Sequence, residues 1–116
     1  MAIVAVKGPP AEAIPQIEKM KLNTEAKNGL DDLKSVIALL PQEYAVVDLA
    51  QARGLAYYTG TVFEVFDKAG ELRAIAGGGR YDKLVELFGG SPTPATGFGM
   101  GYSTLKLLLE KKKRIP

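Results

Sequence analysis

The sequence predicts an α+β fold in which an antiparallel sheet is backed by helices. Three observations lead there. Two helix-like stretches fill the first forty residues, while all nine aromatics and eleven of the thirteen glycines come after residue 41. Two strand-like segments then follow one another across a turn, and strand and helix alternate to the end of the chain. Consecutive strands joined by turn residues pair antiparallel, and helices set apart from them cover a face or an end.

Ile3 to Val6 reads as a short strand closed by Gly8-Pro9-Pro10, where two prolines remove backbone donors. Residues 11–22 read as a helix with Pro15 in its first turn, where a missing N–H costs nothing. From Thr24, the positions Ala26, Leu30, Leu33, Ile37 and Leu40 recur at spacings of three and four. They form one apolar helical stripe, capped by Asn23 or Thr24 and stopped by Pro41. Tyr44 to Ala50 and Thr61 to Phe66 read as strands, and Asp67-Lys68-Ala69-Gly70 turns the second toward Leu72 to Ala76. Asp82 to Phe88 has helical spacing with Gly89 as its left-handed stop, and Ala95 to Gly101 reads as a strand. Ser103 is the expected cap of a last helix over 104–113, whose basic end Lys111-Lys112-Lys113-Arg114 suits the negative pole of the helix dipole.

Composition narrows the chemistry. At 116 residues the chain is one compact unit or part of one, and 47% hydrophobic residues suffice for a packed core. It has no cysteine and no histidine, which removes disulfides, thiolate nucleophiles, Cys/His zinc sites and imidazole catalysis. Arg and Lys electrostatics, carboxylates, tyrosine hydroxyls and backbone amides remain. A net charge of +2 is too small for a long nucleic-acid track. No apolar run approaches the ~20 residues that span a bilayer, and the opening residues lack a signal-peptide pattern, so the expected location is the cytoplasm, with no membrane partner.

The glycine clusters demand a reason, because glycine in a strand forfeits side-chain packing. Gly77-Gly78-Gly79-Arg80 lacks the later Gly-Lys-Ser/Thr of a phosphate-cradling loop. Gly97-Phe98-Gly99-Met100-Gly101 brings its third glycine one residue early for a dinucleotide fingerprint. Close ligand approach or tight packing of a helix on a flat strand are the remaining explanations. Arg53 supplies a planar cationic fork suited to carboxylate or phosphate, just before the pair Tyr57-Tyr58. Side chains alternate on an extended segment, so one tyrosine is expected in the core and its neighbour in a cavity. From spacing alone, a surface ion pair for Arg53 and core packing for both tyrosines compete with that assignment.

The strings Arg-Gly-Leu-Ala-Tyr-Tyr-Thr-Gly-Thr-Val-Phe-Glu (53–64), Gly-Gly-Gly-Arg-Tyr-Asp-Lys-Leu (77–84), Phe-Gly-Gly (88–90) and Pro-Ala-Thr-Gly-Phe-Gly-Met-Gly (94–101) resemble, in order and spacing, the C-terminal half of the histidyl-tRNA synthetase catalytic core. The resemblance is strong over 44–110, and residues 25–43 resemble the helix leading into that core. It implies residues 25–116 as a partial class II aminoacyl-tRNA synthetase core, with 1–24 left as an unassigned N-terminal segment. It implies histidine, ATP and tRNA as substrates, with Mg accompanying ATP and no protein-ligated metal.

By the same resemblance, Arg53 is the catalytic arginine that touches both histidine and ATP. Tyr57, Tyr58 and Tyr81 are histidine-binding, Gly99 lies beneath histidine and ATP, and Gly101 lies beside ATP. Two departures stand out. Ala56 occupies a position where the family usually carries Asp. Thr104 stands where the third class motif places an ATP-gripping arginine; Lys106 and Arg80 are the candidates to compensate, and neither has the family's placement. The first two class motifs and the tRNA-reading domain are not found, so the expectation is an excised segment or truncated relative, inactive alone and prone to homodimerise through an exposed sheet edge. A non-catalytic histidine sensor, such as the regulatory subunit of ATP phosphoribosyltransferase, is the alternative, and a ligand-free folding or dimerisation module is the third.

Overall fold

The computed structural model describes residues 6–51 and 54–115. The chain divides into two compact units, Met1–Ala52 and Arg53–Pro116.

The first unit is mainly helical. Strand β1 (Lys7–Gly8) pairs antiparallel with β2 (Val47–Asp48), and between them lie helices α1 (Pro10–Glu18) and α2 (Thr24–Ile37) and a single 3-10 turn at Gln42–Tyr44. Val6, Ala13, Ile17, Leu30 and Val47 form its buried core, with Ile14, Met20, Leu22, Leu33, Ile37 and Leu49 packed against it. Of the stripe read from sequence, Leu30, Leu33 and Ile37 do the packing, while Leu40 is exposed beyond the helix end.

Asn23 is the cap of α2: its side-chain oxygen accepts from the Ala26 N–H at 2.8 Å, satisfying a donor that the first helical turn leaves open. At the other end, the Gln42 amide donates to the carbonyls of Ile37 and Leu40, so the helix closes before Pro41. Two expectations change here. The helix containing Pro15 starts earlier, because Pro10 takes the first helical position and the Pro9 carbonyl accepts from Glu12 and Ala13; Pro15 is therefore interior. The expected strand over Tyr44 to Ala50 shrinks to Val47–Asp48, since the 3-10 turn uses Tyr44. Of the expected Ile3 to Val6 strand, only Val6 lies within the described residues.

The second unit carries a three-stranded antiparallel sheet in the order β3 (Val62–Val65), β4 (Ala76–Arg80), β5 (Thr96–Met100). Short helix α3 (Leu84–Leu87) lies between β4 and β5, and α4 (Tyr102–Lys111) follows. Gly89, at φ +83°, stops the turn after α3 in the left-handed region that glycine enters without steric cost. Hairpin β3–β4 forms as expected, but its second strand is Ala76–Arg80, not Leu72 to Ala76. Helix α4 begins at Tyr102, two residues before the expected start, because the Gly101 carbonyl accepts from Leu105; Ser103 is thus inside the helix and Gly101 is the cap. The basic run ends the helix as read: Lys111 is in the last turn and Lys113 turns left-handed at φ 51°.

Register sorts the side chains. Val62 faces Gly79 and Gly79 faces Gly97, while Glu64 faces Gly77 and Gly77 faces Gly99. Directly opposed residues share a face and alternate residues return to it, so one face carries Val62, Glu64 and four glycines. Phe63, Val65, Phe98 and Met100 lie on the other, all exposed.

The turn between β3 and β4 is held by Asp67. Its carboxylate accepts from the N–H groups of Leu72 at 2.9 Å and Glu71 at 3.3 Å. The Leu72 bond is the largest influence, and with the Glu71 bond and the turn's other N–H groups it outweighs the opposing desolvation and holds the carboxyl below its ordinary 3.8. A lowered native pKa contributes stability above the unfolded value and loses it as pH falls through the native one. Acidification below about pH 4 is therefore expected to loosen this turn. An NMR titration of the Asp67 carboxyl and the Leu72 amide checks it, and a carboxyl midpoint at or above that of an unfolded aspartate would contradict the assignment.

Candidate functional site

Three tyrosines converge over the glycine face. Tyr57 and Tyr58 follow the chain's entry into the second unit, and Tyr81 follows β4. The ring centroids of Tyr57 and Tyr58 are 4.8 Å apart, those of Tyr57 and Tyr81 5.4 Å apart and edge-on, and those of Tyr58 and Tyr81 6.3 Å apart. Such tilted and edge-to-face contacts suit aromatic quadrupoles. With Leu55, Gly97, Phe98 and Gly99 they line a cleft of about 330 Å³. The expected split of the tyrosine pair, one in the core and one in a cavity, does not occur. Residues 56–57 form a turn, not an extended segment, so both half-buried rings reach the same cleft.

The bare backbone is what admits the rings. A Cβ on Gly79 would lie 2.9 Å from Cδ1 of Tyr58 and 2.7 Å from the Thr61 carbonyl oxygen. A Cβ on Gly97 would run into the Tyr81 hydroxyl. Above Gly99, in contrast, nothing among the described residues lies within 4 Å of a Cβ. Among the described residues the floor is therefore covered by phenol at the Gly79–Gly97 row and uncovered at Gly99, whose row also carries the partly buried Glu64. That carboxylate was missed in the sequence reading; the alternation Val62-Phe63-Glu64-Val65 places it on the glycine face only once the register with Gly77 is known.

A lattice of backbone bonds fixes the rings' supports. Thr59 N–H donates to the Arg80 carbonyl at 2.9 Å, Arg80 N–H to the Thr61 carbonyl at 3.0 Å, and Tyr81 N–H to the Ala95 carbonyl at 2.8 Å. The Thr59 hydroxyl accepts from Asp82 N–H at 2.9 Å. Arg80 Nε donates to both oxygens of Asp82, at 2.9 and 2.8 Å.

Of the residues singled out from sequence, Tyr57, Tyr58, Tyr81 and Gly99 are brought together in this cleft. Arg53 lies outside the described residues. Gly101 does not line the cleft; it sits at the junction of β5 and α4, where its nearest neighbours are the Thr104 hydroxyl and the Ile75 carbonyl. The two cations considered as substitutes for that arginine are engaged, Arg80 with Asp82 and Lys106 with Glu110 at 3.8 Å. Among the described residues, no group of three or more carboxylates is disposed to hold a metal ion, and no helix is long and apolar enough to cross a membrane.

Comparison with known proteins gives one consistent answer. The histidine–tRNA ligase of Haloarcula marismortui is 44% identical over 106 residues, covering 87% of this chain and 24% of that protein. The enzyme of Pyrococcus furiosus is 42% identical, covering 100% of this chain and 28% of that protein. The crystal structure of histidyl-tRNA synthetase from Nostoc sp. PCC 7120 superposes with a TM-score of 0.81 at 31% identity, covering 98% of this chain and 29% of that one. A Bacillus halodurans structure described as an ATP phosphoribosyltransferase regulatory subunit/histidyl-tRNA synthetase superposes at 0.76 with 30% identity, covering 93% of this chain and 28% of that one. The chain thus spans about a quarter of the length of the relatives it matches. With the family profile described as Histidyl-tRNA synthetase matching residues 1–105, and the mix of helices and antiparallel sheet shared with a solved member, the chain belongs to the histidyl-tRNA synthetase family.

Proposed function

We propose that this chain forms one wall of a histidyl-tRNA synthetase active site, holding histidine and ATP against the glycine floor. The convergence of Tyr57, Tyr58 and Tyr81 over that floor carries the reading. A neutral imidazole presents one donor and one acceptor nitrogen, and a phenol hydroxyl can answer either. A pocket built from such hydroxyls penalises isosteres that leave them unpaired. The backbone at Gly99, uncovered among the described residues, gives the substrate room to lie on the strand itself, and in this reading the adenosine reaches past the cleft toward Gly101 at the β5–α4 junction.

In this reading Arg53 brings its guanidinium to the α-phosphate as the histidine carboxylate attacks phosphorus and pyrophosphate departs. That is charge stabilisation with no proton transfer, consistent with a chain lacking histidine. Magnesium enters with the nucleotide as counter-ion of its phosphates, and the activated histidine passes to the 3′ end of tRNA. The complete reaction belongs to a protein of the relatives' length, and the isolated 116 residues are expected to bind without turning over. A cytoplasmic location and association of chains through the open edges of β3 and β5 complete the reading.

Thr104 favours a second reading. An uncharged side chain beside the β5–α4 junction, where the family usually carries an arginine for the γ-phosphate, suits a non-catalytic histidine sensor. Calorimetry with histidine and with ATP, together with histidine-dependent pyrophosphate exchange, separates the two. Binding of both ligands without exchange is the expected result. Histidine binding alone would favour the sensor, binding of neither would reduce the chain to a structural module, and robust exchange would contradict its inactivity in isolation.

A further inference from the structure

We propose that Thr59 is the positioning residue of the cleft, setting the distance between the Tyr57-Tyr58 loop and Tyr81. The inference rests on the histidine-binding reading above. Thr59 directly follows Tyr58 and grips the two residues that flank Tyr81: its N–H donates to the Arg80 carbonyl at 2.9 Å, and its hydroxyl accepts from Asp82 N–H at 2.9 Å. Tyr81 is therefore held from both sides by one residue that also anchors the neighbouring ring. The Asp82 carboxylate, bound back onto Arg80 Nε, closes the same three-residue segment.

The two bonds have separable tasks. The backbone bond continues the pairing that Arg80 N–H makes with the Thr61 carbonyl, and survives any side-chain change. The hydroxyl ties the chain beyond Tyr81, where β4 has ended, back to the Tyr57-Tyr58 loop. Thr59 is itself exposed, so its side chain contributes little to the core, and losing the hydroxyl frees the path of Tyr81 without removing buried packing. A recognition site made of hydroxyls loses affinity when one of them drifts from its hydrogen-bonding position.

Thr59→Val keeps the shape and removes the acceptor, and Thr59→Ser keeps the acceptor on a smaller side chain. By calorimetry on the whole chain, the valine variant is expected to bind histidine at least fivefold more weakly, with its affinity for ATP and its urea midpoint unchanged. The serine variant is expected to stay within twofold of the parent. Hydrogen exchange at the Asp82 amide should be faster in the valine variant with or without ligand. Parental histidine affinity in the valine variant would overturn the proposal, as would histidine and ATP affinities falling together with the urea midpoint, or failure of serine to rescue. If the parent chain binds no histidine, the reading of the cleft fails and the role of Thr59 with it. If the parent binds and valine is silent, the role of Thr59 alone fails.

Discussion

Replacing Gly78 with alanine is expected to destabilise the three-stranded sheet by about 3 kcal/mol, the upper end of the usual cost of overpacking. A Cβ there would lie 2.6 Å from Phe98 Cβ and 2.7 Å from Phe98 Cα, and would also strike the Gly97 carbonyl oxygen. Two of those three obstacles are backbone atoms of β5, hydrogen-bonded to β4 along the whole strand, so they yield only if the strands part. Against a typical stability of about 5–15 kcal/mol for a domain, such a loss is severe. Urea denaturation followed by circular dichroism reads it directly. A loss under about 1 kcal/mol would mean that β4 and β5 do not meet in the Gly78–Phe98 register.

Gly97→Ala is expected to do the opposite: spare the sheet and damage the site. Its Cβ would meet the Tyr81 hydroxyl, the far end of a side chain that can swing away, at little cost to the strands. Swinging away takes the hydroxyl off the floor, and histidine affinity is expected to fall at least tenfold, or about 1.4 kcal/mol. Calorimetry checks the affinity and urea denaturation the unchanged stability. Gly99→Ala is the contrast, because among the described residues nothing beyond its chain neighbours lies within 4 Å of its Cβ, so a loss of affinity there with unchanged stability reports the ligand's own occupancy of that space. Unchanged histidine binding in the Gly97 variant would place the working end of Tyr81 elsewhere. The pair of glycines thus separates two demands on bare backbone in one sheet: close strand approach at Gly78 and ring access at Gly97.

Several elements were legible one residue at a time. The cap at Asn23, the left-handed stop at Gly89 and the basic end of α4 depend on contacts within a turn or two, and local chemistry specifies them. Strand β4 was displaced because Leu72 to Ala76 has the better strand composition, whereas glycine is penalised by its own flexibility. What recruits Gly77–Gly79 into the strand is the approach of Tyr58 over Gly79 and of β5 beside Gly78, partners eighteen or more residues away. The early start of α1 had a similar origin, with Pro10, Ala13 and Ile17 all buried and Pro15 carried along inside.

The sequence by itself determined the class of fold, the antiparallel hairpin, the family and the residue types that chemistry without histidine or cysteine must use. These follow from turn residues, periodicity and the order of four short strings, all of which survive as letters. Only the tertiary structure decided that both members of the tyrosine pair enter one cleft with Tyr81, that Glu64 shares the glycine face, that Gly101 lies apart from the cleft at a helix junction, and that Thr59 ties the two sides of the site together. Each of those facts is a cross-strand register or a loop path. Register in turn is set by which backbones can approach, a property of pairs of segments that no single segment encodes.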